Sequence, residues 1–168
     1  MNKSALFNLS YGVYVITVWA EGKPTGCVAN ACIQVTSEPP KLIISLNKSC
    51  YTNKCVKETG MFAVNVLGEN VDSSVITEFG FASGSEFNKF ENRDYIIKEN
   101  LPVLKDSVAY ITCKVLDEKE TDTHTIFLAQ VTDADNLKTD TPMTYSYYHK
   151  VLKGKNNIKA PTYKTEKD

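Results

Sequence analysis

Glycine is scarce: only eight of the 168 residues, and none completes a G-x-G-x-x-G or a G-x-x-x-x-G-K-[ST] spacing. A nucleotide bound here is therefore held without the glycine-rich turns of dinucleotide-binding and P-loop folds. Charge of one sign is missing too. The net charge is −1, so no basic surface draws nucleic acid by counterion release, and an anionic ligand has to be held by a local site. No apolar run is long enough to span a membrane, and Met1-Asn2-Lys3-Ser4 opens no signal-peptide core. A cytoplasmic location is the expectation.

Histidine is limited to His124 and His149, and no C-x-x-C pair occurs among Cys27, Cys32, Cys50, Cys55 and Cys113. The Cys27/Cys32 and Cys50/Cys55 spacings match no common zinc or iron–sulfur pattern and lie far from both histidines. No metal site is expected, and the thiols are read as reduced, small buried hydrophobes. Repeats and low-complexity stretches are absent as well.

What is present is an ordinary globular composition, 42% hydrophobic and 23% charged, over the length of one domain. That domain is taken as residues 1–168, with a polar tail over 153–168 expected to be mobile at its end. Val13, Tyr14, Val15, Ile16 and Val18 predict a strand over Tyr11 to Ala20, covered on both faces. After a turn at Glu21-Gly22-Lys23-Pro24, Gly26 to Thr36 reads as a second strand, and Leu42 to Leu46 as a third. A short helix is expected next, with Thr52 as its N-cap, Cys55, Val56 and Thr59 near its buried side, and Gly60 ending it.

Met61 to Leu67 reads as strand, and Val71 to Phe79 as a second helix with Val75, Ile76 and Phe79 at helical spacing. Ala109 to Val115 alternates with period two, Thr125 to Thr132 pairs with it, and Met143 to Leu152 reads as a last strand. Six or seven strands, two short helices and no β-α-β alternation point to a mainly β, closed or nearly closed barrel.

Four segments carry possible chemistry. In Phe79 to Phe90, aromatics, Gly80, Gly84, Ser83, Ser85 and Lys89 share twelve residues. Such a loop brings backbone N–H groups and a cation to a flat anionic ligand, or it is a surface turn pinned by its phenylalanines. Asn47-Lys48-Ser49-Cys50-Tyr51-Thr52 leads into a helix start, which suits a terminal phosphate; the alternative is plain capping with Lys48 in solvent. Asn30-Ala31-Cys32 interrupts an apolar strand with small and amide residues, either to seat a planar ligand or because the strand is an edge. His124, between Thr123 and Thr125, is either structural or placed to hydrogen-bond a cofactor or supply a proton.

In order along the chain, Tyr11-Gly12-Val13-Tyr14-Val15, Asn30 to Thr36 with Ser37-Glu38-Pro39-Pro40, and Asn47-Lys48-Ser49 with Tyr51-Thr52 resemble the flavin reductase-like family. So do Phe79 to Gly84 with Lys89-Phe90, Thr123 to Phe127, and Leu152 to Tyr163. The resemblance covers nearly the whole chain and is closest to the flavin reductase module of high-molecular-weight rubredoxins and to flavoredoxin.

It implies an FMN-binding split β-barrel with short flanking helices, a homodimer, and hydride transfer from NAD(P)H to FMN. By the same resemblance Asn30, Ala31 and Cys32 line the isoalloxazine, and Asn47, Lys48, Ser49 and Thr52 surround the phosphate. Ser83, Gly84 and Lys89 complete the site, and His124 stands near flavin and nicotinamide. The onward acceptor is open between free flavin, a rubredoxin, a flavodiiron protein, ferric iron and oxygen. No rubredoxin segment follows Tyr163, so an iron partner is expected to be a separate protein. The other implied readings are an FMN-holding electron-transfer protein reduced by a protein partner, and a non-catalytic split barrel.

Overall fold

The computed structural model describes residues 1–155 and 157–163. A 3-10 turn over Lys3–Asn8 precedes the first strand, β1, which spans Tyr14–Ala20. Two residues, Glu21 at φ 51° and Gly22 at φ 78°, turn it into β2, Lys23–Ala29. Positive φ at both turn positions matches the right-handed twist of the paired strands. There follow β3 (Cys32–Ser37), β4 (Pro40–Asn47), helix α1 (Tyr51–Thr59), β5 (Met61–Val66) and helix α2 (Ser73–Phe81). The chain continues through β6 (Tyr95–Lys98), β7 (Leu101–Leu104), β8 (Ala109–Glu120), β9 (His124–Asn136) and helix α3 (Tyr145–Lys150).

Seven strands form one antiparallel sheet in the order β2-β1-β5-β8-β9-β4-β3, and β6 pairs with β7 apart from it. Laid flat, that sheet would hold β2 and β3 on the order of 30 Å apart. Yet only Asn30 and Ala31 separate the end of β2 from the start of β3, a reach of about 10 Å. The sheet is therefore rolled into a barrel, left open between β2 and β3, which share no ladder among the described residues. The resulting mainly β, split-barrel fold is the one expected.

Inside the roll, Ile16, Val18, Ile44, Phe62, Val64, Cys113 and Phe127 form one buried cluster. Helix α1 packs on it through Cys55 and Val56. A second cluster, built from Val15, Leu67, Val75, Ile76, Phe79 and Phe90, fastens α2 to the outer face of β1. Asn65 ties the small hairpin down: it donates to Val15 O and Thr17 Oγ1, both at 2.9 Å, and accepts from the Leu104 N–H at 2.8 Å.

Four expectations are corrected. The stretch Gly26 to Thr36 is two strands, because the chain turns the split's corner at Asn30–Ala31 and changes partner from β1 to β4. Helix α1 is N-capped by Cys50, not Thr52, and Thr52 is buried, whereas Thr59 is exposed. Met143 to Leu152 is not a strand: Thr144 accepts a hydrogen bond from the Tyr147 N–H at 3.1 Å and starts α3. With that, the described residues hold nine strands and three α-helices, more than the sequence suggests. The far end of the tail, 164–168, lies outside the described residues.

Candidate functional site

Where the barrel is split, a cavity of about 310 Å³ opens between the end of β2 and the end of β4. Ala29, Leu46, Ile76 and Phe81 give it apolar walls, and Tyr145 and Tyr148, one helical turn apart on α3, close one side. The size falls at the lower end of the range for small-molecule sites. Lys89, Lys155 and Lys159 face it against one carboxylate, Glu86, so the local field favours an anion in a chain whose net charge is −1.

The start of α1 contributes one polar end. Asn47 Oδ1 accepts from the Ser49 N–H at 2.9 Å and the Ser49 hydroxyl at 2.8 Å, which bends the chain toward Cys50 at the helix N-cap. Among the described residues no side-chain oxygen caps the first turn, and the N-terminus of α1, with the positive end of its dipole, lies at the cavity edge with Cys50, Tyr51 and Thr52.

Facing them is the loop after α2. Gly84 passes so close to β2 that a Cβ there would sit 2.1 Å from Thr25 Oγ1, itself buried and without a hydrogen-bond partner among the described residues. Lys89 is only 6% exposed. Its ammonium donates to Gly26 O at 2.8 Å and Phe79 O at 3.2 Å, and burial lowers its pKa from the ordinary lysine value.

The other polar end is made by Asn30, Asn47 and His124, the last two paired across the β4–β9 ladder. Here the C-terminal tail folds back across the cavity as a strap. Asn30 Nδ2 donates to Thr162 Oγ1 at 2.8 Å, and Thr162 in turn donates to the Tyr145 hydroxyl at 3.0 Å. Asn47 Nδ2 reaches Lys159 O at 3.4 Å, and His124 Nε2 lies 3.2 Å from the same oxygen. A carbonyl only accepts, so in the neutral ring Nε2 carries the proton and Nδ1 accepts from the Thr123 hydroxyl at 2.8 Å.

Of the residues singled out in the sequence, Asn30, Asn47, Thr52, Ser83, Gly84, Lys89 and His124 all border this one cavity. Ala31, Cys32, Lys48 and Ser49 do not line it. Ala31 offers its carbonyl to the Ser45 N–H at 3.0 Å, stitching the split's corner to β4. Cys32 packs against the barrel core, and desolvation pushes its thiol up to about 12. Lys48 turns the other way, donating to Thr121 O at 2.7 Å and pairing with Glu120 at 3.5 Å.

Sequence reasoning passed over Cys27 and Cys50, which both border the cavity, and over Tyr145 and Tyr148, whose i, i+3 spacing was the available sign of a helix face. The segment Leu152 to Tyr163 entered only as part of the family resemblance, so its strap residues Lys159, Ala160 and Pro161 were given no place in the site; no local pattern ties them to the barrel.

A family model described as flavin reductase like domain matches residues 6–154. The chain is 40% identical over 165 residues to high molecular weight rubredoxin of Moorella thermoacetica, covering 97% of this chain and 72% of that one. It is 38% identical over 165 residues to ferric-chelate reductase (NAD(P)H) of Archaeoglobus fulgidus, covering 97% and 98%. Among solved structures, Streptomyces globisporus NADH:FAD oxidoreductase in complex with NAD and FAD fragments superposes with a TM-score of 0.74 at 26% identity, over 83% of each chain. The chain belongs to the flavin reductase like domain family.

Proposed function

We propose that the cavity at the barrel's split holds FMN and that the protein passes a hydride from NAD(P)H to it, the electrons then leaving to an acceptor. The observation that carries this reading is the meeting of two differently built polar ends in one half-apolar cavity. One end has a helix start and a buried ammonium, the other two amides and a histidine.

The donor set suits a phosphorylated tricyclic ring. The uncapped first turn of α1, Thr52 and Lys89 are the groups that would hold a phosphate, with Ser83 and Gly84 beside them. Asn30 and Asn47 supply amides for ring carbonyls and nitrogens, and His124 presents an N–H at the same end. One phosphate-binding end and a modest cavity favour the mononucleotide FMN over a dinucleotide.

Bound flavin supplies the hydride and electron chemistry, and the protein supplies position, shielding and hydrogen bonds. Ala29, Leu46, Ile76 and Phe81 keep water from the ring's face, and alignment of the two rings carries most of the rate. His124 orients or polarises the ring system from a fixed tautomer; the Thr123 hydroxyl fixes its ring plane. A homodimer is part of this reading. Edge strand β3 is exposed along nearly its whole length, with Ile33 64% and Val35 42% exposed, which suits burial against a second copy. A rubredoxin or flavodiiron protein is the acceptor class that the likeness to a rubredoxin-bearing relative favours.

The test is the visible spectrum of the purified protein before and after anaerobic NADH or NADPH. A flavin spectrum that bleaches with saturable kinetics is expected. Slow, non-saturating bleaching would instead make the protein an electron carrier reduced by a partner, and a colourless protein that leaves added FMN fluorescence unchanged would overturn the site.

A further inference from the structure

The cavity has a neighbour to which the chemistry above gives no role. A second space, of about 370 Å³, lies between α2 and the start of the strap, with Ser73 and Thr77 on one side and Leu152 and Gly154 on the other. Ile76, Phe81, Tyr148 and Lys155 border both spaces, so this cleft begins where the rim of the cavity ends.

Backbone contacts with α3 put Lys155 at that shared rim. Lys153 turns the chain off the helix at φ 54°. The Gly154 N–H then donates to Tyr148 O at 3.0 Å, and Gly154 O accepts from His149 Nδ1 at 2.9 Å. Gly154 lies against the Tyr148 ring, where a Cβ would fall 2.0 Å from Cζ, and the Tyr148 hydroxyl donates to Lys155 O at 3.2 Å. The backbone of Lys155 is thus held while its side chain is left over. Lys89 bonds two carbonyls and Lys159 Nζ reaches Ser49 O at 3.5 Å, whereas the Lys155 ammonium has no hydrogen bond or ion pair among the described residues. No carboxylate among those residues lines the cleft, so its field favours an anion. Past the rim, Phe81 is 51% exposed and offers ring surface with Tyr148, and Ser73 and Thr77, one turn apart on α2, offer hydroxyls.

We propose that this cleft takes the adenosine half of NAD(P)H, with Lys155 on the pyrophosphate that joins it to the nicotinamide half. This rests on the function proposed above: flavin fills the cavity, so a dinucleotide donor places one ring against it and carries the other outside. Such a donor is two planar ring systems linked by an anionic bridge. The chain offers the same series: a ring site, an unpaired cation at the shared rim, then a cleft with aromatic and hydroxyl groups. The purine stacks on Phe81 or Tyr148, and the Ser73 and Thr77 hydroxyls meet its nitrogens or its ribose. The adenosine half takes no part in the hydride step. Its binding energy is what holds the nicotinamide in register.

The test gives the FMN-loaded protein two donors, NADH and reduced nicotinamide mononucleotide, which lacks the adenosine half. Beside them, ADP-ribose, which carries that half without nicotinamide, is titrated by calorimetry. In the parent chain NADH should exceed the mononucleotide at least about tenfold in kcat/KM, and ADP-ribose should bind. Thr77 is exposed and borders the cleft but not the cavity. Thr77→Trp should fill the cleft, raise KM for NADH at least about tenfold and abolish ADP-ribose binding, with FMN affinity and mononucleotide kinetics unchanged. Lys155→Met should weaken ADP-ribose more than adenosine. Equal kcat/KM for the two donors, or ADP-ribose binding that survives Thr77→Trp, overturns the proposal and leaves the flavin reading standing. A parent chain that prefers FAD to FMN, with Thr77→Trp removing the preference, gives the cleft to a flavin's own adenosine half and overturns it too. A protein that neither donor reduces fails at the flavin reading and takes the cleft with it. The donor comparison and the titration are read on the parent chain, so a variant that fails to fold does not rescue the proposal.

Discussion

Lys89 shows how far a side chain's role depends on depth. Lysine is rarely buried without partners, and here the carbonyls of Gly26 and Phe79 are the partners that make burial tolerable. Its ammonium therefore both pins the loop after α2 to β2 and faces the cavity. Lys89→Met, which keeps the stem and removes the charge, should weaken FMN by about 1–3 kcal/mol, read by fluorescence titration; unchanged affinity would leave Lys89 as a strut only. His124→Ala should slow reduction by NAD(P)H in stopped flow more than it lowers flavin content, and the reverse ordering would make the ring structural. The sequence identified the ammonium of Lys89 as a candidate but not its depth. It misaimed Lys48, because the Glu120 and Thr121 groups that draw it away lie across the β8–β9 turn, some seventy positions on.

At the scale of elements, capping decides more than hydrophobic pattern. Helix α2 was legible from Val75, Ile76 and Phe79, and the end of α1 from Gly60, which takes φ 67°. Helix α3 was not: Tyr145, Tyr147 and Tyr148 favour strand by type, and the Thr144 cap outweighs that preference. The β2–β3 break was hidden for a different reason. Asn30 and Ala31 turn a corner that exists only once the sheet has rolled, a non-local event.

Asp72 caps α2 by accepting from the Ser74 N–H at 2.9 Å, and the Ser74 hydroxyl first, then that N–H and Arg93, hold its carboxyl below the usual carboxylate range. A depressed folded-state pKa means stabilisation that is complete above the unfolded value and lost as pH falls through the folded one. Asp72→Ala should therefore lower Tm near neutrality, and the gap to the parent should close as pH drops below about 4. Thermal melts across that window check the sign.

For the whole molecule, the barrel class was legible because strand signals outnumber helix signals and run on in series after the two helices, whereas the location of the split and the strap over it was not. A sheet rolled but unsealed leaves a bare edge, and β3 exposes Ile33 and Val35 along it. If a second copy covers that edge, Ile33→Glu should halve the mass seen by analytical ultracentrifugation at micromolar concentration while leaving the circular dichroism spectrum intact. A parent chain that is already monomeric would remove the dimer from the reading.

The bonds from Thr162 to Asn30 and from Lys159 to His124 carry a kinetic consequence. A guest passes beneath the same groups inbound and outbound, so loosening the wrapping should speed shedding, and losing Lys155 and Lys159 from the cavity wall should weaken the equilibrium as well. Ending the chain at Leu152 should thus shorten the residence time of FMN in rapid-dilution experiments. The strap would then be what turns a visiting nucleotide into a lodger.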